Sequence, residues 1–280
     1  MRSESMRSRA HVRAIGLSVL ASILALWPSP PQQGYSCPPS RELPFPVGER
    51  LTYAITWTRH LVVGEMTLSV KARGHFFDRA GVHLELRAST VGAARALVKT
   101  LEERWTSYVD PETWLPYRVE HSRQDGDRRT DRTIALDHRK GIARVSTGGT
   151  ISIAPETRDA VAFLYYLRTL PLQPRDRRRF SLLSEKRRVP VWIEVGSRAP
   201  VETRAGRFEA IELIVHREDI RRAASDPSPL RLWLSADERR LPVLITAQEG
   251  IGEIRAELTE MAREGTLIST ANRQPQEEIR

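Results

Sequence analysis

The most regular hydrophobic pattern in this chain lies over residues 45–70, where apolar and polar side chains alternate. A period of two is typical of a β-strand with one buried face. A second alternating run follows after a short interruption, so the stretch predicts a β-hairpin. The apolar positions are Leu51, Tyr53, Ile55 and Trp57 on the first strand and Met66, Leu68 and Val70 on the second.

The same alternation recurs along most of the remaining chain. It predicts further strands over residues 82–89, 103–109, 115–123, 130–136, 141–146, 180–183, 189–195, 208–215, 230–235, 243–247 and 253–261. Short turn-forming segments between many of these runs favour antiparallel pairing of neighbours. The sequence therefore predicts a mainly β fold, a long antiparallel meander forming a curved sheet. We expect a half-barrel or barrel-like domain with one substantial buried helix.

That helix is predicted over residues 157–170, where the period changes from two to that of a helix. Val161, Leu164, Tyr165 and Arg168 follow the i, i+3, i+4, i+7 spacing. Asp159 near the start and Arg168 near the end suit the helix dipole, and Pro171 ends the helix. Because the segment is apolar nearly all round, we expect it to be buried on more than one side, in the concavity of the sheet.

Two local features refine this picture. Gly64 interrupts the second strand and is interpreted as a bulge or close-approach position that curves it. In addition, residues 108–120 and 235–246 share an order of strand, Asp turn, Leu-Pro and strand. This echo has two interpretations, hairpin chemistry repeated by chance or duplication within the meander.

The amino-terminal residues have the features of a secretory signal peptide. Four arginines precede an uncharged stretch of 14 residues, which is too short to span a membrane as a helix. We divide the chain into a signal peptide (1–36), a Pro-rich lead-in (37–45), a single β domain (46–264) and a polar tail (265–280). We therefore expect an exported protein that is located in the periplasm or associated with the outer envelope.

Cys37, the single cysteine, falls at the predicted cleavage site and is a candidate lipidation site. Gly34 stands where a bacterial lipobox usually has Leu, and Pro38 follows the cysteine. These departures favour a soluble exported protein or an uncleaved anchor over a lipoprotein. One cysteine also excludes an internal disulfide, so the fold must depend on its core.

The formal net charge of +9 is concentrated most densely in residues 175–188. Arg177, Arg178 and Arg179 in this run are a candidate contact for an anionic membrane surface or an envelope protein. The simpler interpretation, which we favour, is a solvated strand edge whose charges prevent edge-to-edge association. Nucleic acid is not an expected partner, because export separates the protein from it.

Catalytic, metal-binding and cofactor-binding motifs are absent from the sequence. It contains no nucleophile elbow, Cys-x-x-Cys, zinc-binding helix motif or phosphate-binding glycine loop. Glu49 and Glu65 could be paired carboxylates, but we expect one to cap a strand edge and the other to pair with an arginine. We therefore predict no enzyme, no metal and no cofactor, with an uncharacterised hydrolase as the last alternative.

Aromatic and apolar side chains on the predicted strands and helix suggest a second kind of site. Core packing is the simpler account of them. The alternative is an apolar cavity, closed by the helix, that holds a lipid-like or other hydrophobic ligand. The candidate cavity residues are Tyr53, Trp57, Met66, Leu164 and Tyr165.

The ordered set of these segments resembles the exported bacterial family DUF3108, a domain of unknown function. The residues that carry the resemblance are 46–53 (PVGERLTY), 63–65 (VGE), 159–168 (DAVAFLYYLR), 203–208 (TRAGRF), 233–237 (WLSAD) and 241–243 (LPV). The resemblance implies an exported, mainly β protein and supplies no catalytic residues.

Together these observations favour a non-catalytic periplasmic or cell-envelope protein, which we expect to be a monomer. Its first predicted role is binding an amphiphilic or hydrophobic ligand in the concavity of the sheet. The alternative is a structural or assembly factor that contacts an envelope partner through the Arg-rich edge.

Overall fold

The computed structural model describes residues 45–58, 61–92, 100–185, 187–218, 229–249 and 252–263. The predicted signal peptide, Cys37 and nearly all of the lead-in lie outside the described residues, as does the polar tail. Within the described ranges, no helix is long and apolar enough to cross a membrane.

The described chain forms a single antiparallel sheet of 14 strands with one helix, as the alternation predicts. The strands are β1 Glu49–Trp57, β2 Leu61–Phe76, β3 Arg79–Thr90, β4 Leu101–Val109, β5 Pro116–Asp125, β6 Arg128–Asp137, β7 Ile142–Val145, β8 Thr150–Ser152, β9 Arg177–Leu183, β10 Arg188–Thr203, β11 Gly206–Arg217, β12 Leu230–Ser235, β13 Pro242–Glu249 and β14 Gly252–Arg263. The helix, α1, spans Ala160–Thr169.

The meander forms a curved sheet that stays open, because its two edge strands do not pair with each other. β1 pairs with both β2 and β14, so the first and last strands meet in the middle of the sheet. β8 and β9, which precede and follow the helix in sequence, form the two edges of the sheet. The inner, concave face carries the alternating apolar positions, and most of them form one large core cluster with α1. A second, smaller cluster consists of Val119, Ile134, Leu136, Ala143, Ile153 and Leu183.

Helix α1 lies in the concavity and packs against β3, β4 and β9. Asp159 is its N-cap, with a side-chain oxygen that accepts hydrogen bonds from the backbone N–H groups of Val161 and Ala162. Every residue from Val161 to Arg168 is buried. This confirms the prediction of a helix that is apolar nearly all round and is covered on more than one side.

The segment before the helix covers part of the sheet edge at β9. The Arg158 N–H donates to the Ser181 carbonyl, and the Leu183 N–H donates to the Arg158 carbonyl. The hydroxyls of Thr157 and Ser181 are also 2.7 Å apart and buried. These contacts satisfy backbone groups that an edge strand would otherwise expose.

Gly64 lies at an irregularity of β2, as predicted. The register between β1 and β2 shifts next to it, where Ile55 faces Gly64 but Thr56 faces Val62. A Cβ atom on Gly64 would stand 2.8 Å from the backbone oxygen of Ser89 on β3. The position therefore needs glycine for the close approach of the neighbouring strand.

Several strands are longer than the hydrophobic pattern predicts. β10 continues through residues 196–203, a polar stretch that contains Pro200, because its partner β11 continues beside it. β8 is a short, exposed edge strand with no apolar alternation to reveal it. Pairing with a neighbouring strand extends these strands, and the local sequence pattern does not reveal that pairing.

We expect Gly64→Ala to lower the free energy of unfolding by about 1–3 kcal/mol, because the new methyl group collides with backbone. Gly74→Ala is the matched control in the same strand, since a Cβ there meets nothing within 4 Å. That control should stay within about 1 kcal/mol of the parent protein. Urea denaturation of both variants tests this, and equal losses would contradict the close approach assigned to Gly64.

Candidate functional site

The predicted cavity residues belong to, or pack against, the core on the concave face. Tyr53, Met66, Leu164 and Tyr165 are all buried members of the main core cluster. Trp57 is half-buried and packs against the edge of that cluster. Leu164 and Tyr165 lie on helix α1 itself, whereas Trp57 is the last residue of β1 and lies at the end of that strand away from Glu49.

A buried ion pair fixes the end of the helix within this core. The Arg168 guanidinium donates two hydrogen bonds to the Glu49 carboxylate, at 2.6 and 2.8 Å, and a third to the Arg239 carbonyl at 3.0 Å. The rings of Phe45 and Tyr165 lie beside the same guanidinium, at 4.6 and 5.2 Å from its carbon. Glu49 is therefore the carboxylate that pairs with an arginine, and it serves as a structural anchor between β1 and α1.

The two tyrosines of the set lie close to this pair. Burial raises the pKa of Tyr53 well above its usual range and raises that of Tyr165 as well. Neither hydroxyl has a hydrogen-bond partner in the described part of the chain. Both side chains therefore stay neutral, and their hydroxyls are sites where a buried water or a ligand group would gain a hydrogen bond.

An arginine near each end of α1 binds one of the two turns that the sequence echo identified. Arg158 donates to the carbonyls of Thr113 and Trp114 in the first turn, and Arg168 donates to that of Arg239 in the second. Trp114 and Arg240, the residues before each Leu-Pro, both have a positive φ, at 56° and 49°. The two turns therefore share a backbone feature as well as a sequence pattern, and the helix is anchored to both.

A polar cluster occupies the inner face at one end of the sheet. We call this end, where the β1–β2, β3–β4, β5–β6 and β9–β10 connections lie, the loop end. The indole of Trp105 stacks on the imidazole of His121, with ring centroids 3.8 Å apart. We define the polar wall as this stack and the charged side chains around it, namely Glu103, Trp105, His121, Arg123, Arg132 and Glu185.

Ion pairs connect the members of the polar wall. Arg123 donates to Glu103 at 2.8 Å, and Arg132 donates to Glu185 at 3.0 Å. Glu185 also approaches the Nδ1 atom of His121 at 3.3 Å. Because Glu185 lies between β9 and β10 while His121 and Arg132 lie on β5 and β6, these contacts bridge the opening of the sheet.

The polar wall is buried at its centre and partly open at its margin. Burial lowers the pKa of His121 to about 4, and the two neighbouring arginines act in the same direction, whereas Glu185 opposes them. Burial raises the pKa of Glu103. The side chains of Arg123 and Glu185 are each 28% exposed, so solvent reaches the cluster.

Another part of the loop-end inner face is apolar. Trp57 on β1 lies opposite Ile254 on β14, which lies opposite Ala247 on β13. Val215 and Leu230 continue this row on β11 and β12. We call these five residues the apolar wall, and all of them belong to the main core cluster or pack against it.

The Arg-rich segment is divided between the two faces of the sheet. Arg177 and Arg179 lie on the outer face and pair with Glu194 and Glu218, at 3.0 and 2.9 Å. Arg178 has the opposite orientation in β9 and donates to the Pro171 carbonyl and to Asp176. The three side chains therefore do not form one cationic surface.

Glu49 and Glu65, the carboxylates considered as a pair, also lie on different faces. Glu65 is exposed and lines a polar groove of about 420 Å³ on the outer face of β2–β6, together with Thr67, Arg87, Glu102 and Arg104. Glu49 is buried on the inner face. Among the described residues, no group of three or more His, Cys, Asp or Glu could hold a metal ion.

Sequence analysis did not identify the polar wall. A signal is present, since Glu103 alternates with the exposed residues Glu102 and Arg104 on β4, and the buried His121 lies between half-buried neighbours on β5. These charged residues occupy positions where the strand period predicts an apolar core, which marks a functional site or a buried network. Only the fold shows that Glu185 joins them.

We expect Arg168→Met to lower the free energy of unfolding by about 3–5 kcal/mol, because it leaves the Glu49 carboxylate buried without its partner. The double variant Glu49→Met/Arg168→Met removes both charges and should recover most of that loss. Arg177→Met is the control, since its pair with Glu194 is exposed and should be worth at most about 1 kcal/mol. Urea denaturation measures all three, and a double variant no more stable than the single one would contradict this interpretation.

Comparison with solved structures shows the fold. A β-barrel-like protein of the domain of unknown function DUF1849 from Brucella abortus matches with a TM-score of 0.52 and 11% identity, over 78% of this chain and 98% of that chain. A candidate exported protein with a YmcC-like fold from Bacteroides fragilis matches with a TM-score of 0.36, 11% identity and coverage of 79% and 98%. For a candidate lipoprotein from Parabacteroides distasonis the TM-score is 0.37, with 8% identity and the same coverage.

No curated protein matches the chain. The sequence profile described as "Protein of unknown function (DUF3108)" matches residues 52–259. That range contains β2–β13, helix α1 and most of β1 and β14. Since the match covers most of the chain, this protein belongs to the DUF3108 family.

Proposed function

We propose that this protein is a non-catalytic binding protein of the cell envelope that holds an amphiphilic ligand at the loop end of its curved sheet. The observation that carries the proposal is the division of the inner face there into an apolar wall and a polar wall. The hydrocarbon part of the ligand would lie along Trp57, Leu230 and Ile254. Its polar part would lie against Trp105, Arg123 and Arg132.

The apolar wall supplies a surface suited to a hydrocarbon chain. Trp57 and Leu230 are only partly buried, whereas the core residues beneath them are nearly inaccessible. Covering such side chains contributes roughly 25 cal/mol for each Å² of apolar surface removed from water. Trp57 and Leu230 pack against the main core cluster, which supports them.

The polar wall supplies buried hydrogen-bonding groups, which bind a ligand more strongly than exposed groups because they do not compete with water. The Nε2 atom of His121 and the Nε atom of Arg132 are buried and have no hydrogen-bond partner in the part of the chain that the structure describes. A neutral His121 accepts at Nε2 when Nδ1 donates to Glu185, and Arg132 Nε donates. A ligand hydroxyl or carboxylic acid group, each of which both donates and accepts, would complement these atoms.

Binding is a better account of this cluster than catalysis. Both carboxylates of the polar wall are engaged by arginines, Glu103 by Arg123 and Glu185 by Arg132. An acid–base catalyst needs a group that is free to exchange a proton with substrate. The alternative of an envelope partner at the Arg-rich edge has less support, since Arg177, Arg178 and Arg179 lie on two faces and each has an acidic partner.

Titration with cis-parinaric acid, a long-chain fatty acid that fluoresces when shielded from water, tests the proposal. We expect saturable binding that Trp105→Ala weakens by about tenfold, the range for an aromatic residue central to a binding site. Trp192→Ala is the matched control, because Trp192 also stacks on a histidine at 3.8 Å but on the outer face. It should change the affinity less than twofold.

Native mass spectrometry of the protein purified from its own envelope should also show a lipid-sized adduct. Thermal denaturation of both variants separates lost binding from lost folding. The proposal fails if no saturable binding and no adduct are found. It fails equally if Trp105→Ala and Trp192→Ala reduce the affinity by the same factor.

A further inference from the structure

The β2–β3 hairpin has an unusual residue at its tip. Phe77 and Asp78 are the two central residues of the turn, with φ angles of 54° and 62°. Positive φ at both positions is the pattern of a type I′ turn, which favours Asn and Gly strongly. Phenylalanine there costs backbone strain, and 51% of its side chain still remains exposed to solvent.

Strain at an exposed residue points to a role outside folding. The turn holds the Phe77 ring away from the core, at the end of the sheet opposite the polar and apolar walls. Large exposed apolar side chains are few in the described ranges, and Phe77 is the most exposed of those found there.

An aromatic group on the outer face supports this ring. The ring of Tyr108 lies 5.0 Å from Phe77, 5.3 Å from Phe76 and 4.9 Å from His83. Tyr117 lies next to them, and its hydroxyl donates to the Phe76 carbonyl at 3.3 Å. Aromatic rings with polar edges, grouped on a surface, are typical of side chains that lie at a membrane–water interface.

Guanidinium groups cover this aromatic surface. Arg118 lies 4.1 Å from the Phe77 ring centroid, and Arg79 lies 4.6 Å from that of Tyr117. Arg118 also pairs with Glu120. Arg73, opposite Val82, lies on the other face of the hairpin from Arg79. Both are exposed and form no ion pair with any residue in the described ranges, so positive charge faces solvent on both sides of the hairpin.

We propose that this surface docks on an anionic phospholipid bilayer. We define it as the hairpin patch, comprising Arg73, Phe76, Phe77, Arg79, Tyr108 and Arg118, with the buried Tyr117 beneath it. Phe77 enters the boundary between headgroups and acyl chains, Tyr108 lies at the level of the headgroups, and the arginines bind lipid phosphates. The two positive charges of Arg73 and Arg79 exceed the one negative charge of Asp78 in the same turn, which favours an anionic over a neutral surface.

Co-sedimentation of the exported protein, after removal of the predicted signal peptide (residues 1–36), with lipid vesicles tests the hairpin patch. We expect binding to phosphatidylcholine vesicles that contain phosphatidylglycerol, weakening as salt is added, and little binding to phosphatidylcholine alone. Arg79→Gln should reduce the binding about fivefold, the usual effect of one basic side chain at an anionic surface.

Phe77→Asn separates a docking role from a structural one. Asparagine suits the positive φ, so this variant should be as stable as the parent protein or more stable, yet bind vesicles at least fivefold more weakly. Leu61→Asn is the control, because Leu61 is 37% exposed at the loop end, and it should bind vesicles normally.

The proposal is overturned if phosphatidylglycerol makes no difference, if no vesicle is bound, or if Leu61→Asn and Phe77→Asn behave alike. Loss of stability in Phe77→Asn would overturn it too, by showing that the phenylalanine serves the fold. Phe77→Asn should leave cis-parinaric acid binding unchanged, and Trp105→Ala should leave vesicle binding unchanged. The two proposals therefore fail independently.

Discussion

The rest of this structure depends on the fact that its sheet does not close. β8 and β9 form the two edges and do not pair with each other, so the inner face of a 14-stranded curved sheet must be covered by something else. Helix α1 covers it, and for that reason the helix is apolar on nearly every side. Its ends are anchored by Arg158 and Arg168 on the carbonyls of two similar turns, and by the buried pair of Arg168 with Glu49. Buried charges of this kind position elements more than they stabilise them.

The same open architecture explains why polar groups lie on the inner face. The helix is anchored at the end of the sheet opposite the loop end, through Arg158 and Arg168, and its N-cap Asp159 accepts a hydrogen bond from Ser107 of β4. Beyond Ser107, towards the loop end, β4 and β5 carry Trp105, Glu103, His121 and Arg123 on that face. Glu185 reaches this cluster from across the opening. The loop end is thus where the inner face is both accessible and chemically mixed, and this is the basis of the proposed amphiphile site.

Much of the fold could be predicted from the sequence, because its causes are local. The period of two identifies most strands, the change of period identifies α1, and Asp159 and Pro171 mark its limits. The strand period also places Arg177 and Arg179 on one face and Arg178 on the other. The expectation of a single contact surface for all three did not take that period into account. Partners distant in sequence could not be predicted. The contacts of Glu49 with Arg168 and of Glu185 with His121 depend on strand order, and the extension of β10 depends on β11 beside it.

The central claim is that the loop-end inner face binds an amphiphile while α1 stays in place. Amide hydrogen exchange with and without bound cis-parinaric acid tests it most directly. The account predicts slower exchange at the loop ends of β1, β4, β5 and β14, with the amides of α1 unchanged. Slower exchange confined to the β2–β3 hairpin, or faster exchange in α1 as the ligand displaces it, would contradict the account.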